Sequence, residues 1–581
     1  MKKNIIYILT FISCYISFSQ VILSEKDENL FKEIPQEKIF LHFNSSFLLA
    51  GENLYYKIYC LNAQNNKLSS LSKIAYVEFV DSNLEVIFKQ KIKLISGLGQ
   101  GDFFIPSSIL SGNYKIVAYT QWMRNAGELN IFQNDISIVN PFNENQDAII
   151  DKTVDTLLAN KKGKINYNKN DFIIAPKEFF ELKLNKKNFK SREKIILKFT
   201  NNKNLGNYSL SVRKVTPFEI PKRYNSVDAI KNNIDFKKNT PKSIFLPELR
   251  GELIFGTVYE RDSNLPAADV KVTLTITGND KLFKIANTNN LGRFYFNISE
   301  NYEQSNAIIQ VLNKYKNYKL NIENLPIKMY DYLSFSNFKI NELANEFILK
   351  QSIYNQIENA YKEVKLTKIN QVEPELPFYN KIGKTYDLDD FTRFPTIKET
   401  IIEVVDAVTI KSRNGKSLLD IIWENKMDKS GLLPLVIFDG IIIENHNEFL
   451  NFNARKVKKI HVVREKYLYG TQLFEGVISF ESIKGDINGF NSERKDYIVN
   501  IDLLKPLEKK SYFKQVYDKN KFEHIPDYRN QLLWMPNLSL SSKDEEVIFY
   551  TSDNKGEFEI CIEGFTESGK PVSLREIINV E

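Results

Sequence analysis

The sequence predicts a mainly β protein, tandem β-sandwich domains plus one small α+β domain, and three observations carry that expectation. Apolar and polar residues alternate with period two through 37–140, 178–216, 251–325 and 525–581, as in strands with one covered face. The 41 Phe and 29 Tyr, against 5 Met and 3 Trp, favour strands over helices. At 341–364 the apolar spacing lengthens to about four, the signature of a helix. With 581 residues, 43% hydrophobic and 26% charged, the chain has ample material for several cores.

Residues 1–20, MKKNIIYILTFISCYISFSQ, read as a cleaved secretory signal. Lys2 and Lys3 form the charged start, Ile5 to Phe18 the apolar stretch, and small residues lead to a cut after Gln20. A lipoprotein signal at Cys14 fits less well because Tyr15 and Ile16 follow it, and a retained transmembrane anchor would need a longer uninterrupted span. The expected location is therefore exported, periplasmic or outer-membrane associated. Loss of Lys2 and Lys3 takes the formal charge from +7 to +5, too little and too dispersed for a nucleic-acid partner. Cys60 and Cys561 lie in strand-like runs and are expected as buried free thiols.

In 21–145, "KIFLHF", "NLYYKIYCL", "KIAYVEFVD" and "NYKIVAYTQW" are strands separated by Gly or Asn turns. The pieces EKIFLHF, LLAGENLYYK, SGLGQGDFFIP and SGNYKIVAYTQWMRN, in that order, resemble the macroglobulin MG2 domain of large Bacteroidota envelope proteins. No Cys-Gly-Glu-Gln thioester occurs, so covalent trapping is not implied. In 165–245, "FFELKLNKKNFKSREKIILKF" and "NYSLSVRKV" are expected to open a second immunoglobulin-like domain. In 250–328, "GELIFGTVYERDSNLPAADVKVTLTI" and "TNNLGRFYFNI" resemble the carboxypeptidase-regulatory-like sandwich, with a tight reversal at Asn290–Gly292.

Residues 340–384 read as a helix and linker, the helix presenting Leu343, Phe347, Ile353, Ile357 and Tyr361 on one side. In 385–490, Pro395 and Glu399 begin a short helix that feeds the strand "VDAVTI". The stretch PLVIFDGIIIENHNEFLNFNARKVKKIHVVREKYLYGTQLFEGVISFESIKGD resembles the plug of TonB-dependent outer-membrane receptors. Asp439-Gly440 should form a tight turn. By simple alternation Val457, Ile460 and Val462 cannot share one face, so part of the sheet should be covered on both sides. Residues 505–581 are expected as a last immunoglobulin-like unit, its strands within 525–581 completed by earlier chain if they do not close alone.

A receptor-sized barrel of 22 strands at ~10 residues each needs well over ~200 residues. Only 95 follow Asp486, so the plug-like domain is expected to act without a barrel of its own. Motifs for catalysis are missing from the sequence. His42, His446, His461 and His524 have no zinc spacing; His42 and His461 sit in strand runs, where a structural role is the commoner one. Phe378 and Ile410 stand where a P-loop before either Gly-Lys-Thr/Ser would need glycine. Gly97, Gly99 and Gly101 read as a turn between strands, and Asp387, Asp389 and Asp390 as a surface acidic turn rather than a calcium loop. No G-x-S-x-G occurs, and Ser191-x-x-Lys194 lacks its companion motifs. We therefore expect no enzyme, no cofactor, no metal and no small-molecule substrate.

The domain order is similar to that of Bacteroidota envelope proteins carrying a plug domain. The resemblance implies a non-enzymatic protein whose plug-like domain docks on or occludes an outer-membrane β-barrel transport or secretion channel in trans, with sealing of a type 9 secretion translocon as one such role. The alternative is a surface-exposed macroglobulin-like adhesive or protease-interacting structural protein. It is disfavoured by the absent thioester and bait loop, and "LREIINVE" lacks the basic ending of type 9 cargo. A degenerate nutrient receptor is weaker still. Candidate partner-binding residues are Asn445 and Asn451 in one loop, and Arg464, Tyr467 and Tyr469 in the loop Arg464–Thr471, residue types common at interface hot spots. Equally open is a purely structural role for Tyr467 and Tyr469, packing the turn before Gly470.

Overall fold

The structure is a computed structural model. It describes residues 34–151, 180–201, 205–231, 245–276, 282–323 (except 303 and 313–316), 330–370 (except 342–343), 383–423, 431–483 (except 470–471), 496–517, 524–540 and 545–581. The signal expected at 1–20 and the linker Pro374 and Pro377 lie outside the described residues.

The first sandwich packs Glu37–Phe43, Asn53–Asn62 and Leu98–Phe104 against a five-stranded sheet. That second sheet runs Phe47–Leu49, Phe132–Val139, Gly112–Tyr119, Ile74–Val80, Val86–Lys93. Alternate residues Leu41, Ile58, Val77, Phe79, Ile116 and Ile138 meet between the sheets. Burying each such side chain contributes about 1.5–3 kcal/mol. The outer faces are also covered. Ile74, Tyr76 and Val80 pack on Tyr330 and Leu333, while Phe40, Tyr59 and Leu61 pack on Phe565. Gly97 holds the expected turn at φ +78°, but Gly99 and Gly101 lie within the Leu98–Phe104 strand. A Cβ at Gly101 would stand 2.2 Å from Tyr56 Oη, so that glycine makes room for a buried tyrosine.

In the second sandwich the last strands are completed by earlier chain, so strands expected in 165–245 and in 505–581 make one unit. One five-stranded sheet runs Asn188–Phe189, Pro571–Val580, Gly556–Thr566, Gly206–Lys214, Gln531–Leu540. The facing sheet runs Phe180–Leu184, Lys194–Asn201, Glu545–Tyr550. Each sheet mixes strands from both stretches, and one core joins Ile195, Phe199, Leu210 and Val212 to Phe549, Phe558, Ile560 and Ile562. Alternation shows which face of a strand is buried; it does not say which strand lies beside it.

The third sandwich has Glu252–Glu260 between Arg293–Ile298 and Tyr318–Ile322. Its other sheet runs Leu282–Asn287, Lys271–Ile276, Asn306–Val311 and ends on Ile498–Asp502, a strand from beyond the α+β domain. The reversal before Arg293 has Gly292 at φ +70°, and Asn289 Oδ1 accepts from the amides of Leu291 and Arg293 at 2.9 Å. The order is therefore nested. The chain opens the second sandwich, then the third, inserts the helix and α+β domain, and returns to close the third and then the second.

Lys91 and Glu252 form a buried ion pair between the first and third sandwiches, and Tyr302 Oη donates to Glu252 Oε2 at 2.6 Å. Beside them Glu248, 2% exposed, accepts from Tyr76 Oη at 3.1 Å, while its Oε2 has no partner. Burial pushes its pKa up from 4.5 to about 8. The folded chain thus holds a proton that the unfolded chain releases, and stability falls as pH rises from about 4.5 to about 8. Glu248→Gln should flatten that slope and stabilise the fold at pH 8 by about 2 kcal/mol. Denaturant unfolding at pH 5 and pH 8 checks it, and an unchanged slope would contradict it.

The helix spans Asn345–Ala360, but it does not bury the expected face. Its buried residues are Ile348, Gln351, Ser352 and Asn355, while Ile353 is 47% and Tyr361 38% exposed. Phe347 and Ile357 are half-buried, and Leu343 lies outside the described residues. The helix faces a polar seam where amide and carboxylate partners are available, so polar side chains are the better fit there.

In the α+β domain the sheet order is Lys384–Asp387, Val457–Val463, Val477–Ser482, Leu435–Phe438, Ile441–Ile442, the third and fourth being parallel. Thr396 Oγ1 accepts from the Glu399 amide at 3.2 Å and starts the helix Ile397–Glu403, as Pro395 and Glu399 suggest. Asp439 and Gly440 both have positive φ, +45° and +91°, the two-residue hairpin turn expected there. Val457, Ile460 and Val462 do share one face, contrary to simple alternation. A β-bulge between Val457 and Lys459 inserts one extra residue and resets the phase. The sheet is nonetheless covered on both sides, because Leu435, Ile437, Val463 and Val477 face a second cluster. Among the described residues no helix is long and apolar enough to cross a membrane, which says nothing about membrane strands.

Candidate functional site

The α+β domain is clamped to the third sandwich, and that clamp decides what it can offer a partner. Phe283 and Leu312 of the sandwich complete the cluster under Leu435, Ile437 and Val463. Thr275 Oγ1 donates to Gly440 O at 2.5 Å, and a Cβ at Gly440 would stand 2.1 Å from Thr275 Cγ2. The Gln310 amide donates to Ile442 O at 3.0 Å and accepts from Ile442 N at 3.2 Å, closing the edge strand as a neighbouring strand would. The Asp439-Gly440 turn is therefore an internal docking point.

Of the five predicted residues, Asn445 and Asn451 lie by one face of the sheet and Tyr467 packs on the other. Asn445 is exposed and caps the short helix His446–Phe449, its Oδ1 accepting from Glu448 N at 3.3 Å. Asn451 is exposed, its Nδ2 donating to Asn447 O at 3.4 Å. Phe449 and Leu450 of this turn belong to the core shared with Ile460 and Val462. Tyr467 packs on the other side, against the cluster that contains Val463 and Phe474. Burial raises its pKa, and it pairs with Phe474 across the hairpin Tyr467–Tyr469 and Gln472–Phe474. Arg464 is half-buried after the Val457–Val463 strand. Lys384 and Tyr386, then the charge of Arg464, hold the Asp406 carboxyl below its usual range. The backbone of Tyr469 lies in the hairpin, while its side chain, Gly470 and Thr471 lie outside the described residues. The same hairpin presents a cross-strand pair that the sequence reading passed over, Leu468 at 64% and Leu473 at 42% exposure.

Several of the other groups singled out in the sequence have local partners. Asp389 pairs with Arg393 at 2.5 Å and Asp387 with Lys459 at 3.5 Å. His461 Nδ1 lies 2.7 Å from Thr385 Oγ1, and His42 Nδ1 2.6 Å from Ser209 Oγ in the interface of the first two sandwiches. Cys60 and Cys561 are buried and unpaired, and burial raises both thiols.

A cleft of about 290 Å³ opens where the first sandwich, the second sandwich and the Asn345–Ala360 helix meet. Its floor is a buried polar network. Asn530 Nδ2 donates to Glu52 Oε1 at 2.9 Å and to Asn355 Oδ1 at 3.1 Å, and Arg213 pairs with Glu52 at 2.8 Å. Asn554 Nδ2 donates to Asn530 Oδ1 at 2.7 Å, and Lys365 pairs with Glu358 at 2.6 Å. Burial works against the charge of Arg529, but the Asp527 carboxylate outweighs it and raises the guanidinium pKa. Sequence reasoning missed this site. Its one signal was Gln351, Ser352 and Asn355 at helical spacing beside Ile348, which reads as a solvent face until the partner surface is known.

Fold and sites together define a mainly β protein of tandem β-sandwich domains carrying an inserted α+β domain. No protein family matches the chain, and no curated protein matches it. Among solved structures, Salmonella alpha-2-macroglobulin reacted with methylamine is similar at 8% identity over 94% of this chain and 39% of that one, TM-score 0.24. Trypsin-activated alpha-2-macroglobulin from Escherichia coli is similar at 9% identity over 94% of this chain and 41% of that one, TM-score 0.23. The chain thus spans about two fifths of the length of these macroglobulins.

Proposed function

We propose a non-enzymatic, exported cell-envelope protein whose plug-like α+β domain docks on an outer-membrane β-barrel transport or secretion channel in trans. One observation carries this reading. The domain is inserted into the third sandwich and clamped there through Gly440 and Ile442, leaving the Tyr467–Phe474 hairpin with Leu468 and Leu473 outward. A rigid mount with an apolar pair at its tip suits presentation to a partner. Asn445 and Asn451, on the opposite face, would belong to a second contact or to none.

The test is crosslinking in intact envelopes with Arg464→Ala combined with Leu468→Ser. Tyr467 is left in place because it packs in the clamp cluster. Stoichiometric recovery of an outer-membrane β-barrel protein is expected from the parent chain, with at least a several-fold loss in the variant and an unchanged unfolding midpoint. Equal recovery from both would place the docking face elsewhere. Absence of any β-barrel partner would favour the alternative, a surface-exposed macroglobulin-like adhesive or protease-interacting protein, which the three-sandwich array supports.

A further inference from the structure

We propose that the seam between the first and second sandwiches is a pH-sensitive latch, built on Lys57 and His42, that acid loosens. The inference is independent of how the α+β domain docks. His42 and Lys57 stand directly opposite each other on the paired strands Glu37–Phe43 and Asn53–Asn62. Their neighbours Leu41 and Ile58 fill the core of the first sandwich, so alternation turns both basic side chains outward, onto the second. There they are buried, Lys57 at 2% and His42 at 4% exposure. Among the described residues neither pairs with a carboxylate. Lys57 Nζ donates to the amide oxygen Asn537 Oδ1 at 2.6 Å, His42 Nδ1 meets Ser209 Oγ at 2.6 Å, and His42 Nε2 has no partner. Two adjacent buried bases without an acid fit a closed seam only while they are uncharged.

The rest of the seam does not relieve them. Lys509 sets a further positive charge against Lys57. The acids are engaged elsewhere: Glu52 holds Arg213 at 2.8 Å, Asp102 holds Lys510 at 3.0 Å, and Glu559 holds Arg223 and Arg575. Tyr55 and Tyr59 keep their protons, since burial raises both. Burial first, then Lys509, brings Lys57 down from 10.5 to about 7. Burial, with Arg223 and Arg575, holds His42 well below 6.5. Opening the seam to water restores the ordinary values, so opening takes up protons. Closure therefore weakens as pH falls from 10.5 to about 7 through Lys57, and below 6.5 it weakens further through His42. The Glu563 carboxyl, raised by burial, acts with the opposite sign and only lessens the effect.

Cys561 reports on the seam. Its neighbours Ile560 and Ile562 lie in the core of the second sandwich, so its thiol, 2% exposed, faces the first. Cys60, inside the core of the first sandwich, reports unfolding instead. The test labels the full chain with N-ethylmaleimide and reads each cysteine by mass spectrometry, relative to the same cysteine in the urea-unfolded chain at the same pH. Lys57 should raise the relative labelling of Cys561 about tenfold from pH 8 to pH 6, and His42 by up to about fourfold more. At pH 6 Cys561 should label at least about tenfold faster than Cys60, because the seam opens without unfolding the sandwiches. Asn537→Asp sets a carboxylate where Lys57 Nζ already donates, and Lys57→Met removes the charge. Either should leave at most the fourfold share of His42, and the isosteric Asn537→Asp keeps the test decisive should Lys57→Met not fold. No rise in the parent chain, or the full rise in either folded variant, overturns the proposal. Equal labelling of Cys60 and Cys561 would mean that the chain unfolds as a whole, and overturns it too.

Discussion

Deleting residues 531–581 is expected to unfold the strands contributed by 180–214, although these lie far upstream in the chain. Phe549, Phe558, Ile560, Ile562, Val572 and Ile578 supply much of the core that covers Ile195, Leu197, Phe199 and Leu210. At about 1.5–3 kcal/mol per buried side chain, losing these six removes roughly 9–18 kcal/mol, comparable to the roughly 5–15 kcal/mol net stability of a whole domain. The Gly206–Lys214 strand would also lose both neighbours, Gln531–Leu540 and Gly556–Thr566, exposing a full row of backbone groups on each edge. Hydrogen exchange should show protection vanish from 180–214 while 74–80, in the middle of the first sandwich, stays protected. Retained protection at 206–214 would mean that these strands form a unit by themselves, as their alternation alone suggests.

Asp527→Ala should be the most damaging single polar substitution, costing about 3–5 kcal/mol. Arg529 is 8% and Asp527 2% exposed, and the guanidinium binds the carboxylate through Nε at 2.6 Å and Nη2 at 2.7 Å. Removing the acid leaves a buried cation without its carboxylate, and it takes the same acid from Lys365, whose Nζ lies 3.8 Å from it. Arg529→Met added to Asp527→Ala removes that cation and should recover most of the loss. Burial raises the Asp527 pKa, but Arg529 and Lys365 outweigh it and hold the group below its usual value. Its contribution is therefore present above the unfolded carboxyl pKa of about 4 and is lost as pH falls through the lower folded value. Denaturant titration of the single and double variants checks both points, and equal losses in the two would contradict the buried-charge account.

Period-two alternation located the strands because a half-buried strand must place apolar residues on one side, and that requirement is local. The two-residue turn at Asp439-Gly440, the reversal before Arg293 and the helix start at Thr396 were legible for the same reason, since each depends on a few adjacent residues. Of the candidate site, the hairpin around Tyr467 could be found from its residue types, but not the direction in which Tyr467 points. That depended on Phe474 and Val463, brought to it by the sheet. The bulge at Val457 was invisible to a strict count of alternation, because a single extra residue changes every face assignment before it.

By itself, the sequence determined the mainly β class, the position of the α+β segment and of the long helix before it, and the lack of familiar catalytic motifs. Only tertiary structure decided that strands from 180–214 and 531–580 make one sandwich, that the third sandwich closes on Ile498–Asp502, and that the helix turns Gln351 and Asn355 inward. The division has a physical cause. Backbone propensity and side-chain period act over a turn or a strand, whereas partners across a sheet and polar seams between domains are chosen by burial among residues hundreds of positions apart.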